Sequence, residues 1–467
     1  MYVSRKFNPH EWEYIERDGK FILTGYLGYS DKVVFPKGEE FTIGDDFGDF
    51  TWGQNYHRIT DIDFSNLLLN RGDILPLPNV PLRSIKNTCP NCLNFDNAFR
   101  DSTAIEEVDF SEQLVSCSGA FENAQIKRGF DIKGDIVALV NTYENCKNMR
   151  TCGTIPKQTR ELVGTFRCSG VLNGLDLSKS NVNVLASTYM ECFDLLDTGE
   201  FNDNILIMSS TFYRCLNLSK VRKLPDKCRF MDNTFHLCKE IKVQPDLPKD
   251  LRTADFLFSG CSIMVAKELP QNLLSVKHMY ENNVNLVRGA DVPNNVIDCS
   301  YMYLGCPKLR RGVNIGHSVI SANFMYSECI TLESAPDIPD NVKFASFMFL
   351  NCYRLKRAPK LGKLINTSRM FRNCKTLQTA PAIPEAVENM AGMFDGCDLL
   401  QGDVIILSKR VRNAERAFTY SKYLRRIYLD FNSKTYEAFE RAGLTEKQKL
   451  LNIELRPLEE VRYDESE

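Results

Sequence analysis

Along most of this chain the apolar residues recur as a whole pattern once every 22 to 24 residues. The pattern is anchored on an aromatic residue: Phe99, Phe121, Tyr143, Phe166, Tyr189, Phe212, Phe235, Phe258, Tyr280, Tyr303, Tyr326, Phe349, Phe371, Phe394 and Phe418. Three residues after each stands a small residue, Cys in ten of the fifteen units and Ser, Ala or Asn in the others. Three residues further on comes an apolar position, as in Leu218, Ile241, Leu286, Leu309, Leu332, Leu355 and Leu377. A second apolar residue and a proline often follow, as in Leu247-Pro248, Ile338-Pro339 and Ile383-Pro384. A unit this short cannot bury an apolar face alone, whereas units stacked in register bury one continuous core. The expected fold is therefore an α/β repeat solenoid: a curved array with a parallel β-sheet on its concave face and short helical or 3₁₀ turns on its convex face.

Each unit should hold one short strand, running from the apolar position toward the proline, because proline cannot donate a ladder hydrogen bond and sits at strand ends. The remainder, such as residues 385–394, is too short for a full helix and predicts one or two turns of helix or 3₁₀.

The pattern fades at both ends. Residues 1–20 are polar with scattered aromatics and read as an N-terminal extension without assigned structure. From Phe21 the segment FILTGYLGYSDKVVFP alternates apolar and polar residues between glycines, which predicts short strands and a turn. Residues 21–95 read as an N-terminal cap with degenerate repeats, and 96–432 as about 15 regular ones. Residues 433–467 read as a helical C-terminal cap and acidic tail, with two short helices parted by Gly443 and a capping box at Thr445 and Gln448.

These residues resemble a known family. The unit built on Tyr326, with Cys329, Leu332, Ile338 and Pro339, is similar to the repeat of the leucine-rich repeats, within them the 23-residue BspA-like branch. The lead-in FILTGYLGYSDKVVFP also resembles the segment that precedes that family's first repeat. The resemblance spans about 21–431 and implies a fold; for function it implies a binding surface and little more. Units with one extra residue, such as LESAPDIP and LQTAPAIP, resemble repeats carried by phage proteins.

Composition adds limits. The chain has 58 Lys plus Arg against 60 Asp plus Glu, a net charge of about −2, so attraction to nucleic acid or membrane has to come from a local feature. No apolar run approaches transmembrane length, and the first 21 residues carry neither an apolar core nor a cleavage site of a signal peptide. The expectation is synthesis in the cytoplasm without a secretion signal. Seventeen cysteines in such a chain read as reduced, buried thiols.

Catalytic and metal signatures are sparse. The five histidines, His10, His57, His236, His278 and His317, do not fall at triad or metal spacing, and phosphate-loop and dinucleotide motifs are missing. Cys89-Pro-Asn-Cys92 lacks a second pair at zinc-ribbon spacing; with His57 it is all that an enzyme reading of the cap could use. No cofactor and no metal is expected.

The clearest functional pattern is a charge bias at the two positions after each apolar residue, which should face solvent. They carry Arg150, Lys220, Lys242, Arg288, Arg310, Arg311, Lys356, Arg357, Arg425 and Arg426, against Glu106, Glu107, Asp197 and Glu333. The expected function is a non-enzymatic interaction, recognition or scaffold protein that binds another protein or a glycan on its concave face. A virus-particle component fits a chain that reaches the outside without a signal. The alternatives are a polyanion binder, for nucleic acid or acidic glycan, using the basic stripe, and a cell-surface adhesin.

Overall fold

A computed structural model describes residues 8–37, 41–43, 50–54, 56–64, 66, 81–86, 92–444 and 453–461. The chain forms two compact units, Met1–Pro225 and Asp226–Glu467.

The first unit opens with an antiparallel pair, β1 (Trp12–Arg17) and β2 (Lys20–Tyr26), joined through Asp18 and Gly19, both at positive φ. Part of the stretch left unassigned from sequence is thus a strand. Its anchor is Trp12, whose ring lies 5.0 Å from Tyr26 and 4.9 Å from Phe35. β2 pairs on its other edge with β4 (Phe41–Ile43), in parallel. A parallel sheet of β3 (Lys32–Val34), β5 (Asp61–Asp63), β6 (Ser84–Lys86) and β7 (Glu107–Val108) aligns Val33, Ile62, Ile85 and Val108 in one buried row. Next comes a second parallel sheet, β8 (Ala138–Val140), β9 (Glu161–Val163) and β10 (Val184–Ala186), with Leu139, Leu162 and Leu185 inward.

β8 to β10 lie just before the aromatic of their units, where helical or 3₁₀ turns were expected. In the second unit the same position carries single parallel bridges, Ser275 to Asp298 to Ser321 to Phe344 to Asn366. A second line of bridges falls two residues after the apolar position, as in Val265 to Arg288, Arg311 to Ser334 and Arg357 to Thr379. Coils thus have two short extended stretches rather than one, and the regular repeats, residues 96–432, contain no helix.

The backbone explains why. In every coil the residues two before and two after the aromatic have positive φ, for example Arg369 (53°) and Asn373 (59°) around Phe371. The Met370 N–H closes one turn on Thr367 O and the Cys374 N–H another on Phe371 O; between them the Phe371 N–H crosses to Met393 O of the following coil. A left-handed residue every fourth position ends each helical turn as it begins, since L-residues do not continue a helix from that region.

The core of each unit is a stack of the anchoring rings. In the first unit Phe121, Tyr143, Phe166, Tyr189 and Phe212 lie nearly parallel, with centroids 5.2 to 5.5 Å apart. In the second, the stack from Phe235 to Phe418 is spaced 5.4 to 6.0 Å. Such offset rings contribute about 0.5 to 1.5 kcal/mol per pair beyond burial itself.

The second unit ends in a parallel sheet of β11 (Gln401–Ile405), β12 (Tyr423–Leu429) and β13 (Glu454–Pro457). α1 (Lys434–Arg441) starts at Ser433, whose Oγ accepts the Tyr436 N–H, and Phe439 is buried near Phe418. The segment read as a helical cap and acidic tail contains, among the described residues, one α-helix, a strand and a 3₁₀ turn, Leu458–Glu460. The expected capping box at Thr445 and Gln448 lies outside the described residues.

Candidate functional site

Many side chains of a coil are occupied in holding it to the next one. The Cys position is an internal tie: Sγ of Cys329 donates to Tyr303 O at 3.2 Å, and Cys146, Cys192, Cys215, Cys261, Cys306, Cys352, Cys374 and Cys397 bond the carbonyl of the preceding aromatic in the same way. Asn283 and Ser421 take over that bond where Cys is replaced. Burial pushes the thiols of Cys146, Cys192 and Cys329 up to about 12, so they are poor nucleophiles and poor ligands at neutral pH. Of the C-x-x-C pair, Cys89 lies outside the described residues, while Cys92 is buried with Sγ 3.6 Å from Asn94 O. His57 and His10 are exposed.

All ten cations singled out from sequence are exposed. In the first unit they are spoken for. Arg150 reaches Asp194 Oδ2 at 2.6 Å and Gly170 O at 3.0 Å, and Lys220 reaches Asp197 at 3.0 Å. Asp197 also binds Arg222 at 2.7 Å, and these bonds lower its carboxyl from the usual 3.8 to about 2, Arg222 making the largest contribution. In the second unit Lys242 pairs with Glu240 at 3.0 Å, and Arg426 lies 3.6 Å from Asp403 and 3.7 Å from Glu454.

Arg288, Arg310, Arg311, Lys356 and Arg357 differ. Among the described residues no carboxylate comes within 4.0 Å of any of the five, and Arg425 shares that condition. The five stand on three coils of a ladder held by backbone bonds such as Glu333 N–H to Arg310 O (2.9 Å), so like charges repeat at coil spacing. Glu333 on the intervening coil is the acid of that row.

Beside the ladder runs an open groove of about 1480 Å³, with Arg288, Arg310 and Arg311 on its wall. Its acids include Glu268 and the exposed Asp291 and Asp337; the last two each accept a backbone N–H from the following coil, from Asn314 and Lys360 respectively, at 2.9 Å. Asp340 pairs with Lys363 at 3.3 Å. Asp340 thus has a cation partner and Asp291 and Asp337 have backbone donors, whereas the five ladder cations have no carboxylate within 4.0 Å among the described residues.

One surface row was missed from sequence. At the left-handed position two before the aromatic, coils of the first unit carry Asn, Gly or Ser, but the second carries Phe256, His278, Tyr301, Phe324 and Phe347. Their rings stack at 4.1 to 4.7 Å, with His236 at one end and the Arg369 guanidinium 5.3 Å from the Phe347 centroid at the other. The signal was present as an aromatic recurring at a fixed offset, but it stands where hydrophobic counting assigns no burial. His278 Nδ1 also lies 2.8 Å from Glu281 Oε2, so two of the five histidines serve this stack.

Comparison with known proteins follows the same lines. The BspA type leucine rich repeat region matches residues 140–242 in 6 copies. No curated protein matches the chain. Among solved structures, a leucine-rich repeat protein from Bacteroides ovatus is 15% identical, covers 98% of this chain and 99% of its own, and has a TM-score of 0.49. A leucine rich cell surface protein from Faecalibacterium prausnitzii is 15% identical over 91% of this chain and 95% of its own, with a TM-score of 0.37. The pneumococcal vaccine antigen PcpA is 9% identical over 93% and 96%, with a TM-score of 0.30. Residues 140–242 thus match BspA type leucine-rich repeats, and the coils before and after them carry the same aromatic, small and apolar positions.

Proposed function

We propose that this chain is a non-enzymatic recognition protein, and that it engages a negatively charged macromolecular partner through the exposed ladder of its second unit. The observation that carries this reading is the row Arg288, Arg310, Arg311, Lys356 and Arg357, exposed and without a carboxylate within 4.0 Å among the described residues. Arg150, Lys220, Lys242 and Arg426 have such partners. Like charges stacked on successive coils raise the local potential, and an anionic partner relieves it. The non-enzymatic part is supported by how the reactive groups are employed: the repeat thiols are buried hydrogen-bond donors to carbonyls, and His236 and His278 are stacked between rings or against them.

The test is fluorescence anisotropy of the full chain with labelled poly-glutamate, heparin and single-stranded DNA at several salt concentrations. At least one should bind, more weakly as salt rises, and Arg310→Glu with Arg311→Glu should reduce that binding more than tenfold. Binding that ignores both salt and the double charge reversal sinks the reading.

A further inference from the structure

The ladder of the second unit changes character along the array. Counting the two positions after the apolar residue, successive coils present Lys242-Val243, Met264-Val265, Val287-Arg288, Arg310-Arg311, Glu333-Ser334 and Lys356-Arg357. The first half is apolar and open: Val243 is 73% exposed, Met264 55%, Val265 42% and Val287 46%. Single exposed apolar residues need no explanation, but four on neighbouring coils, directly abutting unpaired cations, form a surface with two chemistries. Val265 and Arg288 are bridged neighbours, so the boundary between the two halves is one coil wide.

Resting on the recognition reading above, we infer that the partner is an acidic protein segment that also carries apolar side chains, lying along the coils with its apolar part over Val243 to Val287 and its acidic part over Arg288 to Arg357. A nucleic acid or acidic glycan satisfies the cations but leaves the exposed Val and Met side chains in water. The ladder positions from Lys242 to Arg357 also hold no aromatic ring on which a base could stack. Glu333 interrupts the cationic half, which disfavours an unbroken polyanion and suits a segment whose carboxylates are spaced. Recognition runs through side chains, because ladder backbone groups such as Val287 N–H and Met264 O are already bonded to each other at 2.9 Å.

The experiment compares four labelled probes on the full chain: a peptide with a Leu-rich block followed by a Glu-rich block, poly-glutamate, heparin and single-stranded DNA. Two exposed double variants are used, Arg310→Glu with Arg311→Glu and Met264→Gln with Val265→Thr, each checked for an unchanged circular dichroism spectrum. The block peptide should bind tightest. The charge pair should weaken it more than tenfold with a loss of salt dependence, and the apolar pair about tenfold with salt dependence intact. If the apolar pair leaves the block peptide unaffected while charge reversal still weakens it, the apolar half plays no part and the inference fails while the recognition reading stands. Tighter binding of heparin or DNA than of the peptide also overturns it. Indifference of all four probes to the charge reversal removes the recognition reading itself.

Discussion

At the scale of single residues, the hydroxyl of an anchoring Tyr can serve the backbone of the segment thirteen residues before it. Tyr303 Oη accepts the Ala290 N–H at 3.0 Å and donates to Ala290 O at 2.6 Å, and Tyr326 does the same to Val313. In the coils of Phe258, Phe349 and Phe394 the residue thirteen earlier is Pro245, Pro336 or Pro381, which has no N–H to offer. Tyr303→Phe should therefore strand two buried backbone groups and cost about 1 to 3 kcal/mol, seen as a lower urea midpoint. A second expectation concerns Asp197. Its pKa is depressed from 3.8 to about 2 by Arg222, Lys220 and the Gly199 N–H, so its contribution is complete above about pH 4 and disappears as pH falls through 2. Asp197→Asn should lower stability by about 1 kcal/mol at pH 7, a figure scaled to half-exposed partners, and by nothing measurable at pH 2. A stability gap that persists at pH 2 would show that packing rather than charge holds this corner.

At the scale of elements, much of the coil was legible because burial repeats: the rings, the Cys tie and the Leu position occupy the interior where their spacing placed them. The local backbone was not legible. The stretch before each ring reads as helix by length alone, yet Val140, Val163 and Val184 stand in strands there, because the left-handed residues that follow forbid continuation. In the first unit Asn141, Gly164 and Ser187 could have announced those turns, since Asn and Gly adopt positive φ at low cost. In the second unit Phe256, Tyr301 and Phe324 conceal them, as bulky side chains seldom occupy that region. The basic positions were visible in sequence, whereas which of them are paired depends on residues a coil or two away, such as Asp194 for Arg150. The stacked row supplies a direct check on the backbone. At φ 57°, Phe324→Ala should be less stable than Phe324→Gly by about 1 kcal/mol, because only Gly is free of the Cβ conflict; the usual preference for Ala over Gly would contradict a left-handed turn here.

At the scale of the whole molecule, a chain with a net charge of −2 exerts no general pull on anions, and at physiological salt a potential decays over about 8 Å. What the ladder attracts is decided by a few neighbouring coils. The same locality governs folding, since a coil in a repeat array is stabilised by itself and its two neighbours. Both statements can be tested by one deletion. Removing residues 312–334 takes out one full period, the Tyr326 ring and Glu333, and joins Arg311 to Ala335, so that the next residue in register follows. The Tyr303 ring would then stack on Phe349, Cys352 Sγ would find Tyr303 O in place of Tyr326 O, and the inward tie of Tyr303 to Ala290 is untouched. The shortened chain should unfold cooperatively at a temperature only a few degrees lower. It should also bind poly-glutamate more tightly than the full chain, because Arg310-Arg311 and Lys356-Arg357 become neighbours with no acid between them. A deletion of twelve residues, 312–323, breaks the register and should abolish the cooperative transition. If the one-period deletion binds the anion more weakly, the attraction depends on the intervening coil rather than on the cations that flank it.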